Sequence, residues 1–146
     1  PYTTLFRSYV VMVSHGQFAN GLKDALMMLA GQREDVIASG LENGKSADEF
    51  AQDFEKTIDF INQDDEIILL GDLIGGSPLT TAMNVIHEKN MDEHCIIIGG
   101  MNLPLALTTV LMKDTLDKET FLQQVLHEGQ TALKEFKIEN DEDDDI

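Results

Sequence analysis

His15 ends an apolar run, Tyr9-Val10-Val11-Met12-Val13-Ser14, and is followed at once by Gly16. An imidazole offers a nucleophilic nitrogen near neutral pH. Directly beyond it, Phe18, Leu22, Leu26 and Leu29 recur at helical spacing. The start of a helix presents unpaired N–H groups and a positive partial charge, and both hold anions. A histidine between a strand end and a helix start therefore reads as an acceptor of a phosphoryl group, with Ser14 and Gly16 as flanking phosphate-binding candidates.

Asp72 follows a second apolar run, Glu66-Ile67-Ile68-Leu69-Leu70-Gly71. A carboxylate at such a place is costly to bury unpaired. The expected partner is the Nδ1–H of His15. That bond fixes the tautomer, leaves Nε2 as nucleophile and stabilises the positive imidazole that develops during transfer. Next comes Leu73-Ile74-Gly75-Gly76-Ser77-Pro78. The adjacent glycines Gly75 and Gly76 let backbone N–H groups line a phosphate nest, and the Ser77 hydroxyl can donate to it. Ser77 and Pro78 are expected as N-cap and first helical residue. No Gly-Lys-Ser/Thr follows, so this is not a nucleotide-binding P-loop, and His15-Gly16-Gln17-Phe18-Ala19-Asn20-Gly21 is not a dinucleotide fingerprint. His87, His94 and His127 have no metal-ligand spacing and read as surface or boundary residues. Lys23 is expected in solvent, and Met27-Met28 in core filling or on the helix surface. Cys95 precedes Ile96-Ile97-Ile98; as the single cysteine it excludes an internal disulfide and is expected as a buried structural thiol.

These residues need elements to hold them. Strands are expected over residues 9–14, 36–39, 66–71 and 95–98, and helices over 17–30, from Ser46 onward, from Ser77 to about 89, from Asn102 through 112, and over about 118–133. Gly31 closes the first helix. Ser46 and Glu49 form a capping box, and Phe50, Phe54, Ile58 and Ile61 mark an apolar face. Leu79, Met83 and Ile86 are expected inward. Asn102 and Pro104 repeat the cap-then-proline signal. Phe121, Leu122, Val125 and Leu126 line the last helix. This alternation predicts an α/β fold: an open, mainly parallel four-stranded sheet with helices on both faces. Ligands of such sheets sit beyond the carboxyl ends of the strands. Three exits converge there: Ser14-His15-Gly16, Asp72 with Gly75-Gly76-Ser77, and Gly99-Gly100 with Asn102.

The 146 residues suit one domain with a real core. A formal charge of −17 argues against nucleic acid and anionic membrane surfaces and for a basic protein partner. Part of that charge lies in Glu139–Asp145, read as a disordered acidic tail (139–146). No apolar run reaches the roughly 20 residues that span a bilayer, and no secretory pattern is present, so a cytoplasmic protein is expected. Residues 1–8 read as a non-native extension, set apart from a domain over 9–138.

Taken together, Val13-Ser14-His15-Gly16 with Ala19 and Gly21, Asp72-Leu73-Ile74-Gly75-Gly76-Ser77-Pro78 and Asn102-Leu103-Pro104 resemble the IIA component of the mannose-family sugar phosphotransferase system (PTS), over essentially residues 9–138. The resemblance implies that His15 receives a phosphoryl group from the phosphohistidine of the phosphocarrier HPr and passes it to a histidine of a IIB protein or domain. The IIB component in turn serves sugar entry through membrane IIC/IID components. It implies that Asp72 orients the histidine, that Ser77 and the Gly75-Gly76 backbone surround the phosphoryl oxygens, and that no metal or other cofactor takes part. It also implies a homodimer made by exchange of a C-terminal strand, for which Glu135-Phe136-Lys137-Ile138 is the candidate. Some members carry a hydroxyl residue where this chain has Leu73 and an aromatic where it has Ile74. No IIB-like segment follows residue 146, so a IIA standing alone or cut from a fusion is expected. The rival readings are the phosphocarrier subunit of a dihydroxyacetone kinase, against which Gly-Gly-Ser-Pro argues, a phosphohistidine regulatory module, and a flavodoxin-like small-molecule domain in which His15 and Asp72 stay uncoupled.

Overall fold

The structure is a computed structural model that describes residues 7–139; the first six residues and most of the acidic tail (140–146) lie outside the described residues. Its elements are β1 (Ser8–His15), α1 (Phe18–Ala30), β2 (Val36–Leu41), α2 (Ala47–Thr57), β3 (Glu66–Gly71), α3 (Ser77–Glu88), β4 (Cys95–Ile98), α4 (Leu103–Met112) and α5 (Lys118–Thr131). The four strands form one sheet in the order β2-β1-β3-β4, and every neighbouring pair is parallel.

Side chains of successive strand residues point to opposite faces, and both faces here are apolar. Val10 and Met12 of β1 with Ile68 and Leu70 of β3 pack against Leu22 and Leu26 of α1, Leu105 and Val110 of α4, and Phe121 and Val125 of α5. Val11, Val13, Ile67 and Leu69 face the other way, against Phe50 and Phe54 of α2 and Leu79, Ala82 and Ile86 of α3. That is why β1 and β3 read as near-continuous apolar runs rather than alternating ones. The capping box forms as expected: Ser46 Oγ accepts from Glu49 N–H, and the Glu49 carboxylate accepts from Ser46 N–H. Phe50, Phe54, Ile58 and Ile61 are all buried.

Other expectations need correction. Met83 is 39% exposed. The buried stripe of α3 is Leu79, Ala82, Val85 and Ile86, and Met83 stands at its margin. Phe18 and Leu29 are also exposed, because α1 turns Ala19, Leu22 and Leu26 to the sheet. β1 starts at Ser8, inside the segment set apart. The Arg7 carbonyl accepts from Glu66 N–H, and the buried Ser8 hydroxyl donates to Asp114. The thiol of Cys95 is only partly buried; that burial, with Asp92 nearby, pushes its pKa up to about 12.

The amino-terminal edge of the sheet carries a polar anchor. Lys113, its side chain 2% exposed, places Nζ 2.9 Å from Asp35 Oδ2 and 2.9 Å from Asp114 Oδ2. The same ammonium donates to the Ser8 carbonyl and hydroxyl. Arg33 adds a two-pronged bond to Asp35. The anchor ties α4 to the starts of β1 and β2.

Candidate functional site

β1 and β3 are neighbours, but their following connections leave in opposite directions, β1 to β2 on one side and β3 to β4 on the other. The crevice between their carboxyl ends is the place where such sheets bind ligands. His15 is the last residue of β1, and Asp72 is the first residue after β3. Register Val13↔Gly71 brings the two exits level.

There His15 Nδ1 lies 2.9 Å from Asp72 Oδ2. The His15 backbone N–H donates to the same oxygen at 3.0 Å, and Leu73 N–H donates to Oδ1 at 2.9 Å. Burial pushes the Asp72 pKa up, but the bonds from His15 and Leu73 outweigh it, and the net shift is downward. Asp72 is therefore an acceptor at both oxygens, and the ring proton sits on Nδ1. No described residue bonds Nε2, and the His15 side chain is 48% exposed against 15% for Asp72. The half that could react faces outward, and the half that orients it faces in. His15 and Asp72, expected as a pair, are a pair.

The glycine loop packs against the ring. A Cβ on Gly76 would stand 3.0 Å from His15 Cε1. Gly75 adopts φ +81°, a left-handed turn that glycine takes without steric cost. Gly76, in extended geometry, caps α3, and its carbonyl accepts from Thr80 N–H. Ser77 is thus the first helical residue rather than the cap, and α3 begins one position earlier than expected. It is exposed, and its hydroxyl bonds no described residue. α1 begins three residues beyond His15, and α3 begins at the glycine that packs on the ring; helix amino termini favour anions.

Three expected phosphate ligands have other employment, the first being Gly76, whose N–H donates to the Leu73 carbonyl at 3.4 Å. Ser14 is fully buried, and its Oγ accepts from Ala19 N–H at 2.7 Å. It caps α1 from inside, where Gln17 makes no side-chain cap. Gly16 (φ +54°) donates its N–H to the Leu41 carbonyl at 2.8 Å, so that amide is spent. The third exit gives support rather than ligands. Ile74 lies directly over Gly99, and the Asn102 side chain accepts from Leu105 N–H and donates to the Gly129 carbonyl.

The exit of β2 was missed. A cleft of about 350 Å³ beside the ring is lined by His15, Gly16, Leu41, Glu42, Asn43, Gly44 and Lys45. The rule that gathers the other exits at one edge applies equally to β2, and Asn43-Gly44 is a turn signal. A larger cleft of about 640 Å³, at the opposite edge, contains Ser8, Asp35, Lys113 and Asp114; its charges satisfy one another in the anchor. His87 also pairs with an aspartate, Asp92, at 2.7 Å. That pair is exposed at the carboxyl end of α3, where the helix dipole disfavours anions. Among the described residues, no three His, Cys, Asp or Glu side chains group as metal ligands, and no helix is long and apolar enough to cross a membrane.

The family profile EIIA-man, described as "PTS system fructose IIA component", matches residues 9–126. The chain is 25% identical over 125 residues to the PTS system fructose-specific EIIA component of Bacillus subtilis (strain 168), covering 86% of this chain and 84% of that protein. It is 27% identical over 136 residues to the PTS system mannose-specific EIIAB component of Escherichia coli (strain K12), covering 89% of this chain but only 41% of that protein. Among solved structures, the PTS IIA protein associated with the fucose utilization operon from Streptococcus pneumoniae superposes with a TM-score of 0.76 at 29% identity, covering 91% of this chain and 96% of that one.

Proposed function

Since the chain belongs to the EIIA-man family and is a IIA component of a sugar phosphotransferase system, we propose that His15 is its phosphoryl-carrying residue. The group comes from the phosphohistidine of HPr and goes on to a histidine of a IIB protein or domain, in the cytoplasm, ahead of sugar entry through IIC/IID components. The observation that carries this reading is the 2.9 Å contact between His15 Nδ1 and Asp72 Oδ2 at the sheet's switch point.

The step balances without a net proton. The Nε2 lone pair attacks phosphorus, the donor's P–N bond breaks, and the donor imidazole leaves neutral with the N–H it already carries. His15 keeps its Nδ1 proton, and Asp72 stabilises the positive charge that the ring acquires. Such transfers depend on positioning and charge stabilisation. The exposed Ser77 hydroxyl and the amides of Gly75 and the first turn of α3 bind the phosphoryl oxygens. Around the ring, Phe18, Leu73 and Ile74 are exposed apolar groups, a rim suited to docking a partner. The charge of −17 favours a basic contact face on that partner, so docking weakens in salt.

We assign a homodimer as well. β4 is an edge strand with Ile97 exposed, and beyond α5 the chain leaves Leu133, Phe136 and Ile138 in solvent. Phe136 and Ile138 alternate as strand residues do, and a second copy's edge would cover them. The deciding experiment for the carrier role is incubation with phosphoenolpyruvate, enzyme I and HPr, then mapping of acid-labile phosphate. Label at His15, absent from His15→Ala, is expected; label retained by His15→Ala refutes the assignment. Onward transfer to a IIB protein separates transport from a regulatory role.

A further inference from the structure

Among the described residues, the cleft beside His15 has one lysine or arginine on its wall. Ten Lys and Arg residues are present in the chain, and Lys45 alone among them lines this cleft. Its place follows from the fold. His15 pairs in register with Leu41, and Gly16 N–H binds the Leu41 carbonyl. The chain then turns back through Gly44 (φ +90°), closed by Lys45 N–H donating to the Glu42 carbonyl at 3.0 Å. Lys45 is thereby returned toward the strand end that carries the histidine.

In the unphosphorylated protein its ammonium is paired with Asp53 of α2, and both side chains are substantially exposed, 34% and 48%. Exposed pairs of this kind contribute about 0–1 kcal/mol, so exchange of partner is cheap. A phosphoryl group offers close to two negative charges and three acceptor oxygens, more than a single carboxylate. The hydrogen bond that the ammonium donates to Asp53, with Glu42 and Glu49 nearby, raises the Lys45 pKa and keeps the ammonium charged. Glu42 lines the same cleft and repels a dianion, which leaves Lys45 as the group on this wall that favours one.

We propose that Lys45 is a phosphoryl-binding residue: its ammonium leaves Asp53 and pairs with the phosphoryl oxygens once the group sits on His15 Nε2. No bond to Lys45 forms or breaks covalently. The proposal rests on His15 being the carrier and adds a determinant of how tightly the group is held.

The test is the position of the exchange equilibrium between phosphorylated HPr and this protein, read from the labelled fraction of each at protein concentrations too low for complex to accumulate. That constant compares free species, so docking affinity does not enter it. Lys45→Gln is expected to shift it about 5–10-fold toward HPr, the loss of one charge-assisted contact in a wet site. Lys45→Arg should stay close to wild type, and Asp53→Asn, which releases the ammonium, should shift it the other way. Unfolding curves of the three variants should match wild type. A Lys45→Gln equilibrium equal to wild type overturns the proposal while leaving His15 as carrier, as does a Lys45→Arg variant as impaired as Lys45→Gln. Wild-type protein that takes no label overturns both.

Discussion

Asp72→Asn tests the site most sharply, because the two side chains have nearly the same shape. All three contacts on the Asp72 carboxylate are donors: the His15 ring and backbone N–H at Oδ2, and Leu73 N–H at Oδ1. An amide must set its NH₂ against one of them. With NH₂ at the Oδ2 position it opposes His15 N–H and drives the ring to the tautomer protonated at Nε2, which cannot attack. With NH₂ at the Oδ1 position it opposes Leu73 N–H, and the ring keeps a neutral acceptor in place of a charged one. The second arrangement costs least. A bond to a charged group contributes about 1.5–3 kcal/mol against about 1 for a neutral one, and the half-exposed ring places the difference at the low end. The expected loss is about 3–10-fold in the rate of phosphoryl uptake, or about 0.7–1.4 kcal/mol in the barrier. Single-turnover transfer from phosphorylated HPr measures it, with urea unfolding alongside to show that the variant is folded. A folded Asp72→Asn protein whose rate stays within about twofold of wild type would show that the carboxylate does not steer the ring, and the mechanism would fail.

Other perturbations reach the site and the anchor separately. Gly76→Ala keeps an ordinary φ of −76° but sets a methyl 3.0 Å from His15 Cε1; transfer should slow by roughly tenfold with the melting temperature unchanged, and an unaltered rate would show that the loop does not confine the ring. Asp35 is held near pKa 2, from an ordinary 3.8, because its bonds to Arg33 and Lys113 outweigh the cost of its burial. A carboxyl with a depressed folded pKa stabilises the fold above its unfolded pKa, so about 2 kcal/mol should be present above pH 4 and be lost as pH falls through 3.8 toward 2. Urea unfolding between pH 5 and 2 measures this, and Asp35→Asn should flatten the slope. Lys113→Met keeps the aliphatic stem but removes every contact of the ammonium with Asp35, Asp114 and Ser8; a loss of about 2–3 kcal/mol is expected, and a loss under about 1 kcal/mol would mean that water replaces the anchor.

Much of this was legible because the informative signals are local. Apolar runs of strand length, the Ser46–Glu49 box and the Asn102–Pro104 start each specify their element within a few residues. The parallel sheet then places the strand exits together, and the His15–Asp72 pair follows. What the sequence left hidden depends on direction or on distance along the chain. A serine at a strand end is polar in either case, and only the fold shows the Ser14 hydroxyl turned inward to Ala19 N–H. Periodicity gives α3 an apolar stripe without its centre, so Met83 was counted inside it. The ligands of Lys113 come from the starts of β1 and β2, and no spacing rule links residues so far apart. The β2 exit, by contrast, is legible: in a parallel sheet all four strand exits lie at one edge.

Leu73 and Ile74, the two residues after the aspartate, show how the site divides its tasks. Leu73 steadies the aspartate through its backbone N–H, which any residue except proline supplies. Ser14 and Gly16 likewise serve the frame: one caps α1, and the other ties β1 to β2. Gly40 belongs with them, since a Cβ there would run into the Gly16 carbonyl. With orientation assigned to backbone and buried groups, the side chains of Leu73 and Ile74 are left exposed beside His15, where they do not affect the ring's tautomer. Changes at these two positions should therefore alter which partner docks and how tightly, while the intrinsic transfer step, measured at saturating partner, stays the same.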